Sequence, residues 1–559
     1  MPFDPTPPSD SGQPSIPQPP FAAFDQFVQG TVAEITGGRS PTLELEAWLD
    51  WATHITLSPG KQIDLWLQAA EASLHLIDTP DDVADLWRDW PYAEFLNAHR
   101  ACRAWWRAAV TGVRGVSGRH QQVLDAKVNA LFQAMAPANF LLTNPEVQRA
   151  TLQRLGRNLF DGATAFAEDQ SGARRQADDR YVVGKTLAIT PGKVIFRNRL
   201  IELIQYEPAT PTVHPEPVLI VPAWIMKYYI LDLQPRNSMI RYLVQQGHTV
   251  FAISWINPTD VHRDVSMDDY RRFGIMAAID VIGWTLPDRL IHAAGYCLGG
   301  TMLAIAAAQM ARDNVNRLAS VTLFAAQTDF TEPGELELFI TDSELTWLES
   351  LMARHGVLSG TQMAAAFKTL HADDLIWKPF ISRYLLGEVD HPNDLMAWNA
   401  DQTRMPCRMH AEYLRSLFLR NELAGGHYCV DGRPVALRDI RVPVFALGTA
   451  KDHVAPWRSV YKITLLARTD ITFVLASGGH NAGVVSEPGH KGRSYRVLGM
   501  PPSDPYIDPD AYLQRAAQQD GSWWPEWQRW LAERSGATAA PPAMPASLCD
   551  APGTYVLEA

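Results

Sequence analysis

Cysteine is scarce and scattered in this chain. Its five cysteines, at positions 102, 297, 407, 429 and 549, are odd in number and form no C-x-x-C pair. A disulfide framework and a cysteine zinc site are therefore not expected, no metal is called for, and a reducing compartment fits best. Net positive charge is also missing: 49 Lys and Arg against 61 Asp and Glu leave −12. Proteins that grip nucleic acid through its phosphates are normally basic, so that class is set aside, and an anionic ligand would need a local basic patch. No long lipid-facing run occurs. The most apolar stretch, 293–310, is broken by Gly295, Tyr296, Gly299, Gly300 and Thr301, and reads as a buried strand, turn and helix. Residues 1–20 hold prolines and acids but no apolar segment of a secretory signal, which points to a cytoplasmic protein.

The length of 559 residues exceeds the roughly 250–300 over which one core grows, so more than one folding unit is expected. Residues 1–39 are expected to form a disordered proline-rich N-terminus. Residues 40–185 read as a helical N-terminal domain. There Ile63, Trp66, Leu67, Ala70, Leu74 and Ile77 recur at helical spacing, and Asn144-Pro145-Glu146 has the chemistry of a helix start. The abundant tryptophans of this region (Trp87, Trp90, Trp105, Trp106) are read first as packing between helices, and second as a surface for a partner or an apolar polymer.

From about 186 to 535 the pattern becomes α/β. VIFRNRLIELIQY (194–206) resembles a strand pair, and the short apolar runs 217–224, 248–256, 288–296, 317–325, 442–450 and 470–478 alternate mostly with helical segments. This predicts a mostly parallel sheet covered on both faces. Residues 330–435 interrupt the rhythm and are expected to form a cap inserted over the carboxyl edge of the sheet. In SWWPEWQRWLAER (522–534), Trp523, Trp527, Trp530 and Leu531 share one face of a helix that should dock on the main domain. Residues 536–559 are expected to be an irregular tail.

The chemical signal is Gly295-Tyr296-Cys297-Leu298-Gly299-Gly300, between a predicted strand and a predicted helix. This is the context of a nucleophile elbow, with cysteine where serine is commoner. The turn needs small neighbours, and a thiol at a helix N-terminus feels a positive potential that favours thiolate. The partners should follow in the order acid, then histidine. Asp452 follows the run VPVFALG and His480 follows ITFVLAS, each at the carboxyl end of a strand. His453 competes with His480 but ranks second, since it does not follow the last strand of the series. The two backbone donors of an oxyanion hole are expected at Leu298, next after the nucleophile, and at Ile225 in the loop Val221–Ile225.

Around these residues the chain resembles the polyhydroxyalkanoate synthases, class I in type. The resemblance rests on MAPANFLLTNPE (135–146), TPGKVIFRN (190–198), KYYILDLQP (227–235), GHTVFAISWINP (247–258), GYCLGGT (295–301), DDLIWKPFISRYLLG (373–387), FLRNEL (418–423), KDHVAPW (451–457) and GSWW (521–524), in family order over most of 120–535. The chain departs from the family pattern beside the expected pocket, with Ala223, Trp224 and Met226 in the segment before KYY, Asn481 after His480, and Ala411 and Glu412 before Tyr413.

The resemblance implies an α/β-hydrolase fold preceded by a helical domain, with Cys297, Asp452 and His480 on the family's catalytic positions. It implies polymerisation of (R)-3-hydroxyacyl-CoA, with 3-hydroxybutyryl-CoA the expected monomer, through a cysteine thioester and with release of CoA. No cofactor is implied beyond the CoA that the substrate carries. A homodimer, granule-associated partner proteins and attachment to the surface of polymer granules are also implied. CoA phosphates require cations, for which Lys491 and Arg493 in EPGHKGRSYR, and secondarily His453, are candidates. Two rival functions share the scaffold: a polyester depolymerase or acyl-CoA thioesterase, and a non-catalytic granule protein.

Overall fold

The computed structural model describes residues 21–36, 38, 40–78, 82–171, 180–334, 337, 340–364, 376–389 and 393–559. It divides into two compact units. One comprises 1–38, 183–359 and 398–559, and the other 39–182 and 360–397.

The first unit is built on an 11-stranded sheet. Its strands are β1 (Gly192–Arg197), β2 (Ile201–Tyr206), β3 (Val218–Val221), β4 (Val250–Trp255), β5 (Ile291–Tyr296), β6 (Leu318–Phe324), β7 (Val444–Thr449), β8 (Ile471–Ala476), β9 (Ser494–Met500), β10 (Gln518–Asp520) and β11 (Cys549–Asp550). Their order across the sheet is β10-β9-β8-β7-β6-β5-β3-β4-β2-β1-β11. The block from β4 to β8 is parallel, and antiparallel strands flank it on both sides. Strands β3, β4, β5, β7 and β8 are buried along their whole length. Alternation is lost because helices cover both faces, as in parallel sheets generally. This is the α/β-hydrolase fold, and it places the ends of β5, β7 and β8 on one edge.

The helix Trp524–Ala532 closes this unit. Trp523, Trp527 and Trp530 are buried on the sheet. A ring of this size is worth roughly 4–6 kcal/mol of gross hydrophobic burial. Each indole N–H also finds an acceptor: Gly483 O, Thr322 Oγ1 and Thr472 Oγ1 in turn.

Three expectations about the chain's organisation are corrected. Residues 22–36, assigned to a disordered 1–39, form the helix Ala22–Thr36 against the helix Asp342–His355. Ser350 O leaves no space for a Cβ at Gly30, and Arg354 donates to Thr31. Residues 1–20 lie outside the described residues. The tail 536–559 is not merely irregular, since β11 pairs with β1. Its anchor is the fully buried Glu202 carboxylate, which accepts from Arg197 Nε (2.8 Å), Thr554 N (2.9 Å) and Oγ1 (2.8 Å), and Tyr555 N (3.0 Å). A buried carboxylate persists only with such partners. Finally, the 330–435 insertion is not one body, because 360–397 groups with the N-terminal helices. Tyr384 O lies against Gly162, and Asn158 Nδ2 donates to Leu385 O at 2.8 Å.

The second unit contains the helices Pro41–Thr56, Pro59–Leu74, Tyr92–Val110, Gly118–Ala134, Pro145–Gln153 and Arg157–Gln170. Asn144 caps the fifth, its Oδ1 accepting from Glu146 N (2.9 Å) and Val147 N (3.1 Å). The apolar stripe that the helical spacing marks is exposed. Trp66 is 78%, Leu74 75% and Ile77 80% accessible, with Ile63 and Leu67 also open to solvent. Trp90 is exposed as well, whereas Trp105 Nε1 donates to Leu65 O at 2.9 Å.

Candidate active site

Cys297 occupies the turn between β5 and the helix Leu298–Arg312, with φ 52° and ψ −124°. Non-glycine residues rarely adopt a positive φ, and holding one there costs about 1–3 kcal/mol. Close approach enforces the turn. A Cβ at Gly295 would run into the Gly300 backbone, and one at Gly299 into the carbonyls of Val221 and Pro222. Cys297 N–H donates to Phe324 O at 2.8 Å, and its own carbonyl accepts from Gly300 N and Thr301 N. The thiol is partly exposed at the positive end of a 15-residue helix.

Asp452 follows β7, and its side chain is completely buried. Oδ1 accepts from Val454 N (2.9 Å) and Ala455 N (2.8 Å), while Oδ2 accepts from Thr449 Oγ1 (2.8 Å) and binds His480 Nδ1 (2.8 Å). Burial opposes its charge, but the His480 ring and these donors outweigh it and hold the carboxyl below the ordinary aspartate range.

His480 follows β8 and opens the short helix His480–Val484. Burial alone would lower its pKa. The negative charges of Cys297 and Asp452, with a hydrogen bond to each, push it up to about 10. Nδ1 faces Asp452, so the ring's other nitrogen is the one left to serve the sulfur. Tyr296 stacks on the ring, centroids 5.4 Å apart at 28°.

Among the described residues, no acceptor takes the backbone N–H of Leu298 or of Ile225. Gly299 sits against Val221 and Pro222, so the start of the Cys297 helix touches the loop that carries Ile225. His453 is exposed, and the imidazole that Asp452 engages is that of His480. Lys491 is exposed. Arg493 is half-buried beside Gly478, two residues before His480, and its Nε has no hydrogen-bond partner among the described residues.

Two residues that the sequence reading passed over belong to this site. Tyr413, in the cap, has its hydroxyl pKa raised by burial and then by the charge of Cys297. Its ring packs on Phe418 at 5.2 Å. Thr449 closes β7 and orients Asp452. The tyrosine stood next to the two departures from the family pattern, which was the available signal. Nothing local marks the threonine.

The raised His480 pKa gives a testable titration. A histidine whose folded pKa exceeds its ordinary 6.5 adds stability that is complete below 6.5 and is lost as pH rises through about 10. NMR of ¹³C-labelled histidine, with the His480 signal identified by its loss in His480→Gln, should show a protonated ring at neutral pH. Asp452→Asn should lower the midpoint. A wild-type midpoint below 6.5, unmoved by Asp452→Asn, would mean that burial alone governs the ring and that neither Asp452 nor Cys297 acts on it.

Comparison with known proteins identifies the family. The family described as "Poly-beta-hydroxybutyrate polymerase N terminal" matches residues 19–61, and "Poly-beta-hydroxybutyrate polymerase (PhaC) N-terminus" matches 83–243. The alpha/beta hydrolase fold family matches 216–486. The chain is 42% identical over 467 residues to the poly(3-hydroxyalkanoate) polymerase of Methylorubrum extorquens, covering 81% of this chain and 76% of the relative. It is 37% identical over 530 residues to the poly(3-hydroxyalkanoate) polymerase subunit PhaC of Rhizobium meliloti (strain 1021), covering 91% and 85%. Against the corresponding subunit of Cupriavidus necator it is 36% identical over 509 residues, covering 88% and 86%. With an α/β-hydrolase core, a cysteine at its elbow and this likeness along most of its length, the chain belongs to the poly(3-hydroxyalkanoate) polymerase family.

Proposed function

We propose that this protein polymerises (R)-3-hydroxyacyl-CoA, 3-hydroxybutyryl-CoA in the first place, into polyhydroxyalkanoate through a thioester on Cys297. The observation that carries this reading is the His480 ring, bound to Asp452 at 2.8 Å and acted on by Cys297, in a chain of the polymerase family.

In the first half-reaction His480 holds the proton of the Cys297 thiol, and the sulfur attacks the thioester carbonyl. Leu298 N–H and Ile225 N–H, both without an acceptor among the described residues, suit the tetrahedral oxyanion. The C–S bond to CoA breaks, and the departing CoA sulfur takes the proton from His480. The acyl group has moved from one thiol to another, so it stays activated. In the second half-reaction a substrate hydroxyl gives its proton to His480 as its oxygen attacks the Cys297 thioester. The ester bond forms and the Cys297 sulfur is released.

Asp452 serves as the orienting partner of His480. Its two oxygens already have four partners and its side chain has no exposure, which leaves no room for an incoming hydroxyl. Water has to be kept from the thioester, or the enzyme becomes a hydrolase. The aromatic wall Phe330, Tyr413 and Phe418 suits that exclusion.

The product explains a feature of the helical unit. The exposed stripe of Ile63, Trp66, Leu67, Leu74 and Ile77 is an apolar surface that association with a polyester granule would cover. No helix among the described residues is long and apolar enough to cross a membrane.

Cys297→Ala should abolish CoA release from 3-hydroxybutyryl-CoA, while alanine at Cys102, Cys407, Cys429 or Cys549 leaves most activity. Comparable loss at one of those four would overturn the assignment, and free hydroxy acid instead of polymer would identify a hydrolase. Arg493→Ala, alone or with Lys491→Ala, should raise KM for CoA substrates, with Arg493 giving the larger share; unchanged kinetics would remove both from CoA binding. Serine at Ile63, Trp66 and Leu67 together should lower co-sedimentation with polyhydroxybutyrate particles. Unaltered sedimentation would free that face of the role.

A further inference from the structure

The tryptophans of GSWW (521–524) take no part in the chemistry described above, yet their indoles reach the supports of the reacting groups. Trp523 Nε1 donates to Gly483 O at 2.9 Å, and Trp524 Nε1 donates to Val484 O at 3.0 Å. Those two carbonyls end the helix that His480 begins. The last carbonyls of a helix have no partner within it, and in so short a helix they account for most of its acceptors. Ser522 adds a hydrogen bond to the Ser486 carbonyl, and its Oγ accepts from Trp524 N at 3.1 Å. Both indoles are buried.

The contacts continue to the other two groups. A Cβ at Gly483 would overlap Thr449, whose hydroxyl donates to Asp452 at 2.8 Å. The His480 helix is thus held between the end of β7 and the Trp523 ring. That ring also packs on Phe324, with centroids 5.1 Å apart, and the Phe324 carbonyl accepts the Cys297 N–H.

We propose that Trp523, assisted by Trp524, is a positioning residue that sets the His480 helix so that its imidazole meets Asp452 and Cys297 together. The proposal rests on the reading of His480 as the catalytic base. It assigns a role in the reaction to a segment that the fold alone would explain as hydrophobic packing.

The helix Trp524–Ala532 supplies the control: Trp527 shares the packing on Phe324, with centroids 4.8 Å apart, so what separates the two pairs is the acceptor of each indole N–H. Trp527 Nε1 and Trp530 Nε1 donate to Thr322 Oγ1 and Thr472 Oγ1, each at 3.0 Å. These acceptors lie within β6 and β8 rather than on the His480 helix. Phenylalanine at any of the four keeps an aromatic ring and deletes one buried N–H, so the stability losses should be alike.

The test compares urea midpoint, kcat and KM for 3-hydroxybutyryl-CoA in Trp523→Phe, Trp524→Phe, Trp527→Phe and Trp530→Phe. Misplacing a catalytic group by about 1 Å can cost on the order of 100-fold. Trp523→Phe should therefore lose about tenfold or more in kcat with KM within about twofold, and the double Trp523→Phe/Trp524→Phe should lose more. The Trp527 and Trp530 variants should keep kcat within about twofold despite similar midpoints. Gly483→Ala, which presses on Thr449 from the other side, should reproduce the kcat loss. If Trp523→Phe and Trp524→Phe match the control pair in kcat, or if kcat merely follows stability across all four, the positioning role is refuted. His480→Gln separates the two layers. An active His480→Gln enzyme would refute the base assignment and the positioning role with it, whereas an inactive one beside a fully active Trp523→Phe refutes the positioning role alone.

Discussion

A cysteine held at φ 52° is the constraint on which the rest of this molecule depends. The backbone does not choose that conformation freely, and about 1–3 kcal/mol must be offset by its surroundings. The offset comes from the packed neighbours: strand β5 between β3 and β6, a buried helix after it, and glycines where chain meets chain. The return on the strain is a partly exposed sulfur at the positive end of a helix, placed where the proposed attack on an acyl thioester needs it.

An imidazole must then reach that sulfur from β8, three strands away from β5. At about 4.8 Å per strand this is about 14 Å, so the loop after β8 has to lean back across the edge. The structure meets this with a chain of contacts: Asp452 fixes the ring through Nδ1, Thr449 fixes Asp452, and the carbonyls at the end of the His480 helix are tied to the tryptophans. Charge completes the arrangement. Burial would strip the proton from His480, and two nearby anions more than reverse that effect. The arrangement is electrostatic as much as steric, which suits the proton transfers proposed for the two half-reactions.

Much of this is legible in the sequence. The strand runs, the elbow and the order nucleophile, acid, histidine follow from short-range patterns: apolar runs, glycine spacing and position after strands. The helix cap at Asn144 and the docking face of Trp523, Trp527 and Trp530 are equally local. What escaped depends on distant partners. Periodicity at Ile63, Trp66 and Leu67 correctly marks a helix but is silent on whether its apolar face meets protein or solvent. Strand β11 exists because Glu202, hundreds of residues earlier, needs donors that the tail supplies. The helix at 22–36 and the regrouping of 360–397 likewise reflect long-range packing that no window of sequence contains. Tyr413 and Thr449 act on the site only because the fold brings their segments to Cys297 and Asp452.

The central claim is covalent, so the most direct measurement looks for the bond. Purified protein given isotopically labelled 3-hydroxybutyryl-CoA for a single turnover, then quenched in acid and digested, should carry the label as a thioester on the peptide containing Cys297 and on no other cysteine peptide. A bare Cys297 peptide in protein that has already released CoA would contradict the account.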